Sequence, residues 1–424
     1  MCKGALNTMR QMKNSGISWV GEIPQDWGIQ RNKYIFKIKK DIVLPTKSYQ
    51  LLSLTTNGIK EKDEDDTSGK VPENYDGYQI VRKHDLVMCL FDLDCSAVFS
   101  GLSYYDGMIS PAYKILKIDN SVSDERYYAY WFNYVSSKRY YKQYSKSLRY
   151  TLNADEFNRL FSPVPPLEEQ QCIADFLDRE CERIDKLKAD IQAQIDSLEQ
   201  YKRSVITEAV THGLNPDVPK KDSGIAWVGN YPKHWGRKKG KYVLKLLSRP
   251  VKQDDGVITC FRDGEVTLRS NRREEGFTMA DKEIGYQGVN IGDLVVHGMD
   301  GFAGAIGISD SRGKASPVLN VLDTEQNKKY IMYYLRSMAY NDVFTALSTG
   351  IRVRSCDLRW NKLAELLYPL PPIDEQVQIV ECIDNQLART NEVIANKKTQ
   401  LETLDDYKKS LIYEYVTGKK EVVS

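Results

Sequence analysis

The chain writes SGISWVGEIPQDW at residues 15–27 and again, as SGIAWVGNYPKHW, at residues 223–235, an offset of 208. A second pair of segments returns at nearly the same interval. PPLEEQQCIADFLDRECERIDKLKADIQAQIDSLEQYKRSVITEAVT at 165–211 aligns with PPIDEQVQIVECIDNQLARTNEVIANKKTQLETLDDYKKSLIYEYVT at 371–417, an offset of 206. Pro165 matches Pro371, Glu169 matches Glu375, Gln170 matches Gln376, Tyr201 matches Tyr407 and Ser204 matches Ser410. Solenoid units run on the order of 20–50 residues, so a period of about 200 marks a pair of domains instead. In a chain of 424 residues each copy is long enough to bury its own core. Whatever the fold is, it is built twice.

Charge follows the same duplication. Residues 1–40 carry 8 basic and 2 acidic side chains, and residues 213–248 again carry 8 and 2, so both copies of the Trp-Pro-Trp phrase lie in basic arms. Residues 166–212 hold 6 basic and 11 acidic side chains, and 372–424 hold 7 and 10. The net charge of +2 hides this alternation. With 41% hydrophobic and 28% charged residues the chain has the profile of a globular protein. No window approaches the ~18 consecutive apolar residues that span a bilayer, and the N-terminus lacks the apolar stretch of a signal peptide. The expected location is the cytoplasm, without a membrane. Eight cysteines (Cys2, Cys89, Cys95, Cys172, Cys181, Cys260, Cys356, Cys382) form no C-x-x-C pair and read as reduced, mostly packed thiols.

The acidic segments are predicted to be long helices. Leu177, Ile184, Ile191, Leu198 and Val205 recur every seven residues, with Leu187, Ile195 and Tyr201 at intermediate positions. The second copy keeps Val380, Leu387, Ile394 and Leu401 on the same interval, with Ile383, Leu404 and Leu411 between them. A seven-residue apolar repeat forms a seam for another helix, so the two segments are expected to pair as a coiled coil that spaces the domains. Thr390 and Lys397 also fall on the seam, where pairing is then imperfect or completed by a partner. Pro-Pro followed by acidic residues suits a helix N-terminus. At ~1.5 Å per residue each helix is a rod of roughly 60 Å.

Between arm and helix the two blocks have diverged, keeping short echoes such as GYQ at 77–79 and 285–287 and DLV at 85–87 and 293–295. Runs such as DLVMCLF, YKILKI, DLVVHG and AIGIS, broken by Gly, Asp and Pro, predict a compact mixed domain built on a sheet. Each block closes with a helix-like stretch, ERYYAYWFNYVSSKRYYKQYSKSLRY in the first and KKYIMYYLRSMAYNDVFTALSTGIRVR in the second. A kept scaffold with a changed interior is the signature of two domains of one fold serving two ligands.

Candidate ligand contacts are basic and aromatic. No acidic residue occurs from Arg126 to Ala154, and Lys138, Arg139, Lys142, Lys146 and Arg149 are interleaved with Tyr140, Tyr141, Tyr144 and Tyr150. Lys and Arg attract phosphates whatever the sequence, while tyrosines bond phosphate oxygens or stack on bases. The second block offers Arg262, Arg269, Arg272 and Arg273, then Arg352 and Arg354. Arginine is the residue that reads guanine edges in bidentate fashion. Tyr127, Tyr130, Trp131 and Tyr134 are expected to fill a core instead. Lys138, Arg139, Lys142, Tyr144, Lys146, Arg149, Tyr150 and the six arginines are thus the candidate DNA contacts.

Catalytic motifs are lacking. GRKKGKY at 236–242 has three residues between its glycines where a phosphate loop needs four, and GMDGFAGAIG at 298–307 lacks the dinucleotide spacing. The four histidines (His84, His212, His234, His297) are not spaced as metal ligands. No Asp/Asn-Pro-Pro-Tyr/Phe tetrapeptide is present; the Pro-Pro pairs precede Leu167 and Ile373. The reading is a binding protein without catalytic residues or a metal. A self-contained nuclease or methyltransferase lacks its motif here, and a coiled-coil scaffold that binds only proteins is the alternative reading.

The order SGI-x-W-V-G-x-x-P-x-x-W, variable domain, P-P-[LI]-x-E-Q, long helix ending YK-x-S-[VL]-I-x-E-x-V-T, all repeated, resembles the specificity subunit of Type I restriction-modification enzymes from about Ser15 to Val416. The resemblance implies an α+β chain of tandem duplicated α/β target-recognition domains, separated by long helices that pair as an antiparallel coiled coil with pseudo-two-fold symmetry. The implied organisation is arm and first recognition domain at 1–164, spacer helix at 165–212, second arm and recognition domain at 213–370, and spacer helix at 371–424. It also implies double-stranded DNA as ligand, each domain reading one half of a split asymmetric site, and two methyltransferase and two restriction subunits as partners. S-adenosylmethionine, ATP and Mg belong to those partners. Trp19, Pro24 and Trp27, like Trp227, Pro232 and Trp235, are expected to pack each arm onto the helical scaffold, with Lys233 and Arg237 to Lys241 as further candidates for phosphate contact. No base-reading position transfers from the resemblance.

Overall fold

The structure is a computed structural model that describes residues 10–43, 49–56, 58–62, 75–272, 283–346 and 358–422. The chain divides into two compact units, Met1–Ile191 with Thr399–Ser424, and Gln192–Lys398. Four helices organise them: α1 (Glu125–Ser137), α2 (Leu167–His212), α3 (Lys328–Tyr340) and α4 (Ile373–Val416). Both long helices begin directly after a Pro-Pro pair and carry two carboxylates in the first turn, Glu168 and Glu169 in α2 and Asp374 and Glu375 in α4. The unpaired N–H groups of a helix start favour that negative charge.

The first unit is built on a four-stranded sheet of β1 (Phe36–Lys39), β2 (Leu86–Met88), β3 (Ser100–Leu102) and β4 (Lys114–Ile118), in the order β1-β4-β2-β3. Every pairing in it is antiparallel, with Leu116 opposite Leu86 and Ile118 opposite Phe36. The second unit has β5 (Lys245–Leu246), β6 (Leu294–His297), β7 (Ile306–Ile308) and β8 (Leu319–Asp323) in the order β5-β8-β6-β7, again antiparallel throughout. Strand and helix are thus mixed as expected, but the strands of both sheets pair antiparallel and not through parallel β-α-β crossovers. Short apolar runs such as LVM and LVV bury both faces, and β2 and the first three residues of β6 are fully enclosed. In the first unit Leu86, Met88 and Leu116 pack with Tyr127, Tyr128, Trp131 and Phe132 of α1. In the second, Leu294, Val296 and Leu322 pack with Tyr330, Ile331, Tyr334 and Leu335 of α3.

The repeated motifs acquire a function as joints. Trp27 is wholly buried and its Nε1 donates to Glu169 Oε2 at 2.9 Å; Trp235 does the same to Glu375 Oε1 at 3.0 Å. Gln170 accepts from the backbone N–H of Asp124 just before α1 and donates to the Pro165 carbonyl; Gln376 accepts from Asn327 before α3 and donates to Pro371. Tyr127 Oη donates to the Val416 carbonyl and Tyr330 Oη to the Val210 carbonyl. These bonds satisfy polar groups that burial would otherwise leave without water, which is why the E-Q pair and the tryptophan recur together. At the ends of α2 and α4, Gly213 and Gly418 adopt φ of +77° and +67°, and a Cβ on Gly418 would sit 2.4 Å from Pro24 Cδ. Only glycine closes a helix this tightly against the arm.

Along the long helices, Leu177, Ile184, Ile191, Val380 and Ile394 are buried, while Leu198, Val205, Leu387 and Leu401 are half-buried. Of the intermediate positions, Ile195, Ile383 and Leu411 are buried and Leu404 is half-buried as expected, while Leu187 and Tyr201 differ, at 47% and 49% exposed. At these two places the inward residue lies one step later, at Lys188 and Lys202, in line with Cys181 and Ile195, because a seam alternates steps of four and three. Lys188 turns inward to pair with Asp405 within the first unit, which rotates Leu187 outward. In that unit Lys408 Nζ also lies 2.7 Å from both oxygens of Asp185. Within the second unit Lys397 bonds Gln194 and Tyr201 Oη donates to Gln386 Oε1 at 2.9 Å. In each unit the partner numbers fall on α4 as they rise on α2. Thr390 is buried and donates its hydroxyl to the Gln386 carbonyl one turn earlier, so it leaves no bare polar group.

Candidate nucleic-acid interface

In the first unit α1 is capped by Asp124, whose side chain accepts from the N–H groups of Arg126 and Tyr127, and it stops at Lys138. The helix does not continue through the basic tract. Arg139 takes a left-handed φ of +52°, residues Tyr140–Tyr144 form a 3₁₀ turn, and Tyr150 is left-handed as well at +45°. The tract is held by the arm: Trp19 stacks on Tyr140 with centroids 4.3 Å apart and on Trp131 at 5.4 Å, and its Nε1 donates to Tyr144 Oη at 3.0 Å. The leading aromatics Tyr127, Trp131 and Tyr134 are buried, and Tyr130 is half-buried with its hydroxyl on Asp178.

This stacking presents an open shelf of about 480 Å³ lined by Lys138, Arg139, Tyr140, Lys142, Gln143, Ser145 and Tyr150. Lys142 Nζ stands 4.4 Å from the Tyr150 ring centroid, and Arg139 donates to the Leu93 carbonyl. Lys146 and Arg149 are exposed beside it. Among the described residues none of Lys138, Arg139, Lys142, Lys146 and Arg149 is ion-paired with a carboxylate. Five uncompensated cations around stacked tyrosines form a surface able to hold a polyanion and stack on its bases. Tyr144 uses its hydroxyl on Trp19, so its first task is to position the shelf.

In the second unit the hairpin Ile258–Cys260 and Val266–Leu268 lines a cleft of about 720 Å³ that brings Arg262, Arg269 and Arg272 together. Here Arg262 and Arg272 are held by carboxylates. Arg262 Nη2 lies 2.9 Å from Asp300 Oδ1, and Arg272 pairs with Asp263 at 2.6 Å and Glu265 at 3.0 Å while its guanidinium covers Phe261 at 4.2 Å. Arg269 Nε reaches Thr259 Oγ1 at 3.5 Å. Such pairs fix guanidinium direction, and binding an anion there means exchanging partners. Arg273, Arg352 and Arg354 lie outside the described residues.

His297, at the end of β6, lines the same cleft, and nothing in its spacing marked it. Its Nδ1 accepts from the backbone N–H groups of Met299 and Asp300 at 3.2 and 2.9 Å. Burial pushes the imidazole below its usual pKa, partly opposed by Asp300. Cys260, behind it, is pushed up to about 12 by burial and stays a thiol. No group of three or more potential metal ligands occurs among the described residues.

Residues 24–197 match the profile of the Type I restriction modification DNA specificity domain. The chain is similar to two curated proteins of Methanocaldococcus jannaschii. The putative type I restriction enzyme MjaX specificity subunit is 22% identical, with 95% of this chain and 96% of the relative covered. The type I restriction enzyme MjaVIII specificity subunit is 24% identical, with 94% of each covered. A chain from a structure titled for complex assembly and conformational transition of the type I R-M system has the same fold at a TM-score of 0.66 and 11% identity, covering 94% of this chain and 99% of that one. The HsdS subunit of Thermoanaerobacter tengcongensis aligns at a TM-score of 0.51 and 13% identity, covering 94% and 98%. Two sheet-and-helix units are jointed by the same tryptophan, glutamate and glutamine contacts, and along nearly its whole length the chain is similar to specificity subunits of type I restriction enzymes.

Proposed function

We propose that the chain arose by duplication and that each unit carries one target-recognition domain, with the boundaries 1–164 and 213–370 read from the sequence. Each domain reads one half of a bipartite asymmetric site in double-stranded DNA. The long helices pair as an antiparallel coiled coil, set the unread gap and dock two methyltransferase subunits. Two restriction subunits complete the assembly, and S-adenosylmethionine, ATP and Mg act in the partners, in the cytoplasm. The chain itself performs no chemistry. Duplex DNA relates its strands by a two-fold axis, and dimeric readers match it with two chains; a duplicated chain matches it with two halves that are free to read different bases.

The observation that carries this reading is the identical strand order and joint chemistry in the two units, set against different side chains in their ligand-facing surfaces. The family match at residues 24–197 and the similarity to type I restriction enzyme specificity subunits support the DNA ligand and the partners. The test is a genome-wide map of methylated adenines in cells expressing this chain with its methyltransferase, against cells with the methyltransferase alone. A split motif, methylated on opposite strands in its two halves and dependent on this chain, is the expected result. A complex that forms but yields no motif would refute it.

A further inference from the structure

Arg203 and Arg336, both in the second unit, flank one tyrosine. Arg203 projects from α2 and its guanidinium carbon lies 5.4 Å from the Tyr340 ring centroid; that of Arg336, on α3, lies 5.8 Å away. Arg336 is locked in place: Nε donates to Tyr340 Oη at 2.9 Å and Nη2 to the Asp263 carbonyl at 2.7 Å. Gly264 makes room for it, since a Cβ there would stand 2.5 Å from Nη1. Among the described residues neither arginine forms an ion pair with a carboxylate; the acceptors of Arg336 are neutral. Two guanidinium charges against one ring repel each other, and a geometry that holds them together without an anion is prepared to receive one. They line a cleft of about 670 Å³ that also contains Arg262 and Asp263, and so continues into the arginine cleft of the recognition domain.

The matching place in the first unit is neutralised. By the 206-residue offset Arg203 corresponds to Lys409, which pairs with Asp406 at 3.0 Å, whereas the neighbouring lysines are paired in both units, Lys202 with Glu199 and Lys408 with Asp185. The cleft there is crossed by the Lys188–Asp405 pair as well. Among the described residues an unpaired cation at this helix position is therefore particular to the second unit and is not a by-product of the shared scaffold.

We propose that Arg203 and Arg336 form a phosphate clamp that holds the DNA backbone beside the half-site read by the second recognition domain; this rests on the DNA-reading function above. The clamp positions the duplex and reads no base. It recognises the phosphodiester of a duplex, because the open cleft runs on into the arginine cleft and is not closed around a small ion.

The test measures binding of the full chain with its methyltransferase subunits to a duplex carrying the mapped motif, across a salt series, for wild type, Arg203→Gln, Arg203→Lys and Arg336→Lys, with Lys186→Gln as an equal-charge control. Each phosphate contact contributes about 0.9 to the slope of log K against log salt. Arg203→Gln is expected to lower that slope by about one and weaken binding to target and non-target duplexes by the same factor. Arg203→Lys and Arg336→Lys keep the slope. A slope for Arg203→Gln equal to that of Lys186→Gln overturns the clamp, as does a loss confined to the target sequence. Stabilisation of the DNA-free wild type, but not of Arg203→Gln, by millimolar inorganic phosphate with an unchanged DNA slope would make this a small-anion site and also overturn it. If wild type fails to prefer the motif, the DNA-reading function falls, whatever the slope.

Discussion

Trp27 and Trp235 are buried to within 1% of complete enclosure, and each gives its indole N–H, the one polar hydrogen of its side chain, to a carboxylate at the start of a long helix. Removing Glu375 strands two partners, because its other oxygen meets His234 Nε2 at 2.7 Å. An unpaired buried donor costs about 1–3 kcal/mol, so Glu375→Ala is expected to destabilise by about that amount in urea unfolding, and Trp235→Ala by about 3–5 kcal/mol. His297 supplies the pH dependence. Burial lowers its pKa in the folded state, so the unfolded chain binds the proton more readily. Stability is therefore complete above the unfolded value of about 6.5 and falls as pH drops through it. Wild type should lose more melting temperature between pH 8 and pH 5 than His297→Gln, and equal losses would contradict the assignment.

At the scale of elements, the heptads located α2 and α4, while only the packing identified which side of each seam is dry. Lys188 and Lys202 take inward positions that an apolar count assigns to Leu187 and Tyr201. Leu177→Ala should cost about 2–5 kcal/mol and Leu187→Ala within about 0.5 kcal/mol, compared by urea unfolding of the two variants; similar costs would place the seam at Leu187 after all. The basic tract teaches the same lesson about helix ends. Periodicity alone ran a helix through Lys138–Tyr150, but Arg139 leaves the helical region and the chain instead wraps Tyr140 onto Trp19. That stacking partner is 121 residues away in sequence, so no local pattern could reveal it. Trp19→Ala is expected to release the shelf, weakening DNA binding at unchanged helix content by circular dichroism.

For the whole molecule, the proposed duplication predicts that the two halves are separable in function. Exchanging residues 213–370 for the corresponding domain of another specificity subunit should change one half of the methylated motif and leave the other intact. Lengthening both α2 and α4 by a few residues should change the gap alone. Methylation mapping reads both outcomes, and a change in both halves after the single exchange would mean that the domains do not read independently.

The sequence by itself determined the repeated motifs, the two long helices and the basic and aromatic composition of the tract at 126–154, because repetition, heptads and charge are local or periodic properties of the chain. Tertiary structure decided which cations are available. Arg262 and Arg272 lie against Asp300, Asp263 and Glu265, whereas Lys142 and Arg149 have no carboxylate partner among the described residues. It also exposed Arg203 and Arg336, which sit 133 residues apart in two unremarkable helices and meet at Tyr340 only when those helices pack. Ion pairing depends on distances of a few ångströms between residues remote along the chain, and those distances exist only in the folded state.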